Sequence, residues 1–149
     1  MQVGVIGAGR CDAATAEKAE RVGRLLARRG AVLVCGGMGG VMEAASRGAR
    51  AEGGIAVGIL PGRNPAEGNA HLTVRIATGF GDGRNILIPQ SCDGVIAIAG
   101  SYGTLSEIAF ARKLGIPLVG ISTWELDGSF PVTDDPEEAV ELLLGRIGG

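Results

Sequence analysis

Residues 34–43 read Val-Cys-Gly-Gly-Met-Gly-Gly-Val-Met-Glu, and residues 98–107 read Ile-Ala-Gly-Ser-Tyr-Gly-Thr-Leu-Ser-Glu. Each stretch contains the end of an apolar run, glycines in the spacing GxxGxxxE, and the start of a helical pattern. In open α/β sheets, ligands lie beyond the carboxyl ends of parallel strands, at corners of this kind. Two such corners in one short chain predict an α/β fold with a binding site on glycine-rich loops.

The rest of the chain continues the alternation of strands and helices. Apolar runs rich in β-branched residues are typical of parallel strands covered on both faces, and they occur at 3–6, 32–35, 55–60, 95–99 and 117–121. A further strand nearer an edge is predicted at 73–77. Helices are predicted at 13–29, 41–52, 83–91, 105–114 and 136–147, with Pro89 kinking or ending the third. The order predicts a three-layer, Rossmann-like, doubly wound and mostly parallel sheet, in a single domain spanning 1–149.

Composition limits the classes of function. Glycine supplies 27 of 149 residues, more than twice the usual ~7%, and should mark tight turns or close approach to a ligand. The net charge is −2 with no basic block, so neither nucleic acid nor a membrane is expected as a partner. Three isolated cysteines and the lack of a signal-like leader favour the cytoplasm.

The glycine corners suggest a phosphate site, because a helix that begins there offers unpaired N–H groups to an anion. The predicted contacts are Gly36, Gly37, Gly39 and Gly40 in the first corner, and Gly100, Ser101, Gly103 and Thr104 in the second. Residues 7–9, Gly-Ala-Gly, form a third candidate. No Gly-Lys-Ser/Thr follows and GxGxxG is incomplete, which excludes a Walker loop and makes ordinary NAD binding unexpected. The alternative is that the glycines only permit tight turns.

Two charged residues are candidates for chemistry. Thr104 and Glu107 have the Thr-x-x-Glu spacing of a capping box, so Glu107 is either a helix cap or a catalytic acid. Arg84 lies at the start of a predicted helix, where a cation opposes the helix dipole and so suggests an acidic partner or an anionic ligand. A solvated arginine is the alternative.

The succession of motifs resembles the LOG-like ("possible lysine decarboxylase") superfamily, and within it the branch of molybdenum cofactor carrier proteins. The resemblance runs from Val3 to Ile121 and includes the two glycine corners, Leu60-Pro61-Gly62, Thr78-Gly79 and Gly83-Arg84-Asn85. It implies a Rossmann-like fold, a homodimer or higher homo-oligomer, and no lysine decarboxylation. It also implies that Pro61, Gly62, Thr78 and Gly79 flank the ligand.

The resemblance leaves two functions open. One is binding of a phosphorylated pterin-like or nucleotide-like molecule, such as the molybdenum cofactor or a nucleotide monophosphate, with no cofactor required. The other is hydrolysis of the N-glycosidic bond of a nucleoside 5′-monophosphate, with Glu107 as the catalytic carboxylate and Arg84 as its partner. The signature PGGxGTxxE is altered here, since Ala99 replaces proline and Ser101 replaces glycine. Asn85 replaces the signature's lysine. These departures keep the phosphate cradle and favour binding.

The remaining candidates carry less information. His71 is the only histidine, which excludes a histidine-based triad and a multi-histidine metal site, and no metal is expected. Met38 and Tyr102 occupy matching loop positions and are candidates to cover a ligand ring or to pack in a dimer. Trp124 is a candidate to line the crevice or an interface.

Overall fold

The computed structural model describes residues 1–148, which form one seven-stranded sheet in the order β4-β3-β2-β1-β5-β6-β7. Every neighbouring pair of strands is parallel. The strands are β1 Gln2–Gly7, β2 Val32–Cys35, β3 Ala56–Leu60, β4 Val74–Ala77, β5 Gly94–Ile98, β6 Leu118–Ile121 and β7 Val132–Thr133. The helices are α1 Ala13–Arg28, α2 Val41–Ala51, α3 Leu87–Gln90, α4 Tyr102–Leu114 and α5 Pro136–Gly148. Two 3₁₀ helices cover Pro65–Glu67 and Gly81–Ile86.

The predicted fold class is confirmed, and the six predicted strands differ from the observed ones by at most one residue at each end. The sequence reading missed β7, because a strand of two residues is too short to show a periodic pattern. The predicted helix 83–91 is wrong as one unit, since a 3₁₀ helix precedes the four-residue α3. Pro89 lies in the first turn of α3, where a proline removes no intrahelical hydrogen bond, and the helix ends one residue later, at Gln90.

The two faces of the sheet carry separate cores. Helices α1, α2 and α5 cover one face through residues such as Val22, Ala45 and Leu143. Helices α3 and α4 cover the other through Ile88 and Ile108. The strands between them are buried on both faces at β5, as a three-layer arrangement requires.

Part of the glycine surplus serves the contact between α1 and α2. A Cβ at Gly23 would overlap the backbone carbonyl of Ala45, and a Cβ at Gly48 would overlap that of Glu20. The two helices therefore approach backbone to backbone. These glycines are explained by packing and need no ligand.

The sheet order reverses between β1 and β5, which lie side by side and lead to opposite halves of the sheet. The loops after these strands diverge at the carboxyl edge, and this opening is where doubly wound folds bind ligands. Within residues 1–148, no helix combines the length and apolar character that crossing a membrane requires.

Candidate functional site

A crevice of about 630 Å³ opens at the carboxyl ends of β1 and β5. The loop after β1 forms one wall with Ala8, Gly9 and Arg10, and the start of α1 adds Thr15. The loop after β5 forms the other wall. The crevice therefore lies at the point where the strand order reverses.

A smaller side cavity of about 150 Å³ adjoins the crevice, and the two share Ala8, Gly9 and Ser101 in their linings. Its walls include Glu107 and Thr104 from α4, together with Arg84 and Asn85 from the 3₁₀ helix. The structure thus brings both candidate catalytic residues, Glu107 and Arg84, to one cavity.

The amino end of α4 opens on both cavities. Its first intrahelical bond runs from the Leu105 amide to the Ser101 carbonyl, and the Ser101 side chain makes no capping hydrogen bond. The amides of residues 102–104 precede that bond and have no intrahelical acceptor. A Cβ added at Gly103 would meet no atom within 4 Å, so a ligand has room to approach these amides.

In the other two helices that begin at this edge, another part of the protein accepts a hydrogen bond from an amide of the first turn. In α1, the Asp12 carboxylate accepts a hydrogen bond of 2.8 Å from the Thr15 amide and so caps the helix. In α2, the Val41 amide donates to the Ala8 carbonyl at 2.9 Å. In α1 and α2 the protein thus engages one amide of the first turn, and in α4 it engages none.

The first glycine corner packs against the protein itself. A Cβ at Gly36 would lie 2.7 Å from Arg84 Nη2, and Cβ atoms at Gly37 and Gly40 would overlap Leu60 and the Ala8 carbonyl. Gly39 lies beside the Gly9 carbonyl. None of these four glycines lines the crevice or its side cavity. Their predicted contact with a phosphate stays a prediction, and packing accounts for their presence.

Pro61, Gly62, Thr78 and Gly79 lie in turns at the carboxyl ends of β3 and β4. Thr78 Oγ1 donates to the Leu60 carbonyl at 2.7 Å, and the Gly79 amide donates to the Gly62 carbonyl. The two turns thus bind each other, and they line neither cavity. Their predicted place beside the ligand stays a prediction.

Arg84 is buried and bound to strand ends, not solvated. Its Nε donates to the Ile59 carbonyl at 3.0 Å and its Nη2 to the Gly36 carbonyl at 3.4 Å. Its Nη1 donates to Asn85 Oδ1. The guanidinium therefore ties the ends of β2 and β3 to the 3₁₀ helix, and it does so with its charge facing the side cavity.

The capping-box interpretation of Thr104 and Glu107 is wrong. Because α4 begins at Tyr102, Thr104 lies in its first turn, packed against Gly100. Glu107 then falls one turn further along, where it is buried in the wall of the side cavity. Burial raises the pKa of Glu107 to about 8, against the opposing charge of Arg84.

Sequence reasoning missed several residues of the crevice, including Arg10, Cys11 and Thr15. Arg10 is exposed and forms no ion pair or hydrogen bond within residues 1–148. The signal that marks this wall is the Gly-Ala-Gly stretch at 7–9, directly after the first strand. Ala99 closes the opposite wall with a φ of 49°, a left-handed conformation unusual for alanine.

The two aromatic candidates contact each other beside the loop after β5, and neither lines the crevice or its side cavity. The Tyr102 and Trp124 rings lie with centroids 6.0 Å apart, and Trp124 Nε1 donates to the Ser101 carbonyl at 3.1 Å. Met38 instead packs partly buried against the core. Trp124 therefore supports the loop that carries the α4 amides.

The sequence profile of the SLOG cluster4 family matches residues 1–142. The chain belongs to this family. A relative from Archaeoglobus fulgidus, described as an uncharacterized protein, is 47% identical over 144 residues, covering 97% of this chain and 95% of the relative.

Solved structures extend the likeness of this SLOG cluster4 chain. The molybdenum cofactor binding protein of Rippkaea orientalis is 34% identical with a TM-score of 0.92, over 98% of this chain and 96% of that one. The molybdenum cofactor carrier protein of Chlamydomonas reinhardtii is 30% identical with a TM-score of 0.85, over 97% and 98% of the two chains. The resemblance to a LOG-like superfamily and its carrier branch is confirmed.

Proposed function

We propose that the chain binds a phosphate-bearing, pterin-like or nucleotide-like small molecule in the crevice between the loops after β1 and β5. The observation that carries this proposal is the open amino end of α4 beside Gly100, Ser101 and Gly103. Free amides and the positive end of a helix dipole form a site for an anion. Arg10 lines the same crevice and forms no ion pair within residues 1–148, although the Asp12 carboxylate lines the crevice too.

The comparisons support the same class of ligand. Two structures that match nearly the whole chain are a molybdenum cofactor binding protein and a molybdenum cofactor carrier protein. The molybdenum cofactor is a pterin that carries a phosphate. We therefore infer that the molybdenum cofactor, or a molecule of the same two-part chemistry, is the ligand of this chain.

Gly103→Ala tests the proposed phosphate site. The added methyl group meets no protein atom within 4 Å, so folding should be preserved, while the methyl group occupies the approach to the amides. We expect wild type at a hundredfold excess of molybdenum cofactor over Kd to gain about 2.7 kcal/mol of stability, and the variant to lose most of that gain. Thermal unfolding with and without ligand measures the gain in stability of wild type and of the variant.

Gly145→Ala is the matched control, because it also adds a methyl group with no neighbour within 4 Å, in α5 and away from the crevice. It should leave the ligand-induced shift of Tm unchanged. Equal shifts for wild type and both variants would place the ligand elsewhere.

Hydrolysis of a nucleoside monophosphate is the second candidate, and the common cavity of Glu107 and Arg84 favours it. A carboxylate there is suited to orienting water and stabilising an oxocarbenium-like sugar. The raised pKa of about 8 opposes this role at neutral pH, because a protonated carboxyl cannot accept a proton from water.

The two candidates separate in one assay. Pure protein is incubated with AMP at pH 7 and pH 9, and free adenine is measured by chromatography. Binding alone predicts no release at either pH. Release that rises with pH and disappears in Glu107→Gln would establish hydrolysis instead.

A further inference from the structure

Glu107 is a buried acid without a partner. Its side chain belongs to a residue only 7% exposed, and it accepts no hydrogen bond from residues 1–148. It lines the side cavity. Within residues 1–148 no fully enclosed side-chain nitrogen or oxygen lacks a partner, so the Glu107 oxygens open onto the cavity. A carboxylate with so little contact with water needs hydrogen-bond donors there.

Three polar side chains near Glu107 make their hydrogen bonds to other parts of the protein. Arg84 donates to the Ile59 and Gly36 carbonyls and to Asn85 Oδ1. Asn85 Nδ2 donates to Ser106 Oγ at 3.1 Å, and Ser106 in turn donates to the Gly103 carbonyl at 2.6 Å. Each of these groups is engaged by the protein. No side chain that lines the cavity donates a hydrogen bond to Glu107, so a molecule that enters the cavity can supply the donors.

The chemistry of a carboxylate specifies those donors. An ionised carboxylate only accepts hydrogen bonds, and its two oxygens match two parallel N–H groups. A 2-amino-4-oxopyrimidine ring presents this pair, a ring N–H beside an exocyclic amino group. Adenine presents one donor beside one acceptor, which would leave an oxygen of Glu107 facing a lone pair.

We propose that the side cavity takes the 2-amino-4-oxopyrimidine edge of a guanine or a pterin, with Glu107 accepting hydrogen bonds from its ring N–H and its amino group. The proposal rests on the function proposed above, because the phosphate held at the α4 amides sets where the ring can reach. The cavity of about 150 Å³ is smaller than the ~300–1,000 Å³ typical of a whole ligand site. It therefore suits one end of a ring system, and the crevice holds the rest.

The ionisation of Glu107 gives the proposal a pH signature. Arg84 and Asp82 from the 3₁₀ helix and Cys35 from β2 are the charged or titratable groups around it. Because its pKa lies near 8, a ligand that needs the ionised form should bind about tenfold more tightly per pH unit from pH 6 to 8. A ligand without paired donors should show no such gain.

Three nucleotides with the same sugar phosphate test the proposal. GMP has both the ring N–H and the 2-amino group. IMP has only the ring N–H, and AMP has neither of these two donors. We expect Kd to increase about tenfold at each step from GMP to IMP to AMP, measured by titration calorimetry at pH 8. In Glu107→Gln the three should bind within a few-fold of one another. Glu43→Gln is the control, because Glu43 holds the equivalent place after the first glycine corner and should leave the series unchanged.

A titration with a pterin decides whether the ring with this hydrogen-bonding edge is a guanine or a pterin. Neopterin monophosphate is titrated in parallel with GMP. The ligand with the lower Kd identifies the class of ring, provided that Glu107→Gln raises that Kd. Equal binding of GMP and AMP would overturn the inference about Glu107 and leave the phosphate site intact. Affinity for GMP that falls as pH rises through 8 would also overturn it, because Glu107 would then act as a protonated donor. Binding of none of the four probes would overturn both proposals.

Discussion

At the scale of single residues, Glu107 shows how one spacing can serve two purposes. Thr-x-x-Glu fits a capping box, yet α4 begins two residues before Thr104, so the acid lies one turn inside the helix. There it borders a cavity and has no partner among the described residues. The start of a helix is decided by which backbone amides find acceptors, and a difference of a few residues changes a cap into a residue that lines a cavity.

Glu107→Gln should stabilise the folded protein at neutral and higher pH. The unfolded carboxyl ionises near 4.5 and the folded one near 8, so between these values the folded state holds more protons. The free energy of unfolding of wild type therefore falls as pH rises through this window, by at most about 1.4 kcal/mol per pH unit. Glutamine does not titrate. In urea unfolding, the free energy of unfolding of the variant should exceed that of wild type by more at pH 8 than at pH 5. The same difference at both pH values would contradict a raised pKa of Glu107 in the folded state.

At the scale of elements, three helices begin at the same edge of the sheet and differ in what meets their first amides. Asp12 caps α1, the Ala8 carbonyl meets α2, and nothing in the described chain meets α4. The loop after β1 explains the second case, since it approaches Gly40 so closely that no side chain fits between them. Two sequence corners of the same pattern therefore have different roles.

Gly40→Ala tests the close approach between the loop after β1 and the start of α2. Gly40 combines a φ of 59° with a ψ of −125°, and an added Cβ would overlap the backbone of Ala8 and approach that of Gly9. We expect the free energy of unfolding to fall by about 3 kcal/mol or more, from backbone strain and overlap together.

Gly53→Ala is the control for backbone strain alone. Gly53 also has a positive φ, of 72°, but an added Cβ would meet nothing within 4 Å. Its cost should be about 1 kcal/mol, the penalty of a left-handed conformation. Urea denaturation measures the free energy of unfolding of both variants. Equal losses would show that the loop after β1 moves to accommodate the Cβ at position 40 at no cost in free energy.

At the scale of the whole molecule, one part of the sheet is left uncovered. Val74 and Ile76 of the edge strand β4 pair in register with Val57 and Ile59, so they face the same side as the α3 and α4 core. Those helices do not reach β4, and Val74 and Ile76 are 43% and 46% exposed. Phe80, 66% exposed, follows the same strand. An exposed apolar edge of this kind is a site for association.

We expect a second copy of the chain to cover this edge, in keeping with the homo-oligomer that the family resemblance implies. Ile76→Lys should convert the dimer to a monomer, because a charge at the edge opposes pairing. Light scattering after size exclusion gives the mass, and circular dichroism checks the fold. Leu114→Lys, at an equally exposed apolar residue on α4, should leave the dimer intact. A monomeric wild type would contradict the expectation.

The sequence by itself determined the alternation of strands and helices, the parallel three-layer fold and the edge where a ligand belongs. Local periodicity and glycine placement specify these features, because each depends on residues a few positions apart. Tertiary structure alone decided which helix starts have an amide engaged by another loop, which carbonyls Arg84 donates to, and that Glu107 has no hydrogen-bond partner within residues 1–148. Those outcomes depend on Ala8, Ile59 and Gly36, which meet these residues only when distant strands lie side by side. Contacts between such distant segments leave no periodic signal in a single sequence.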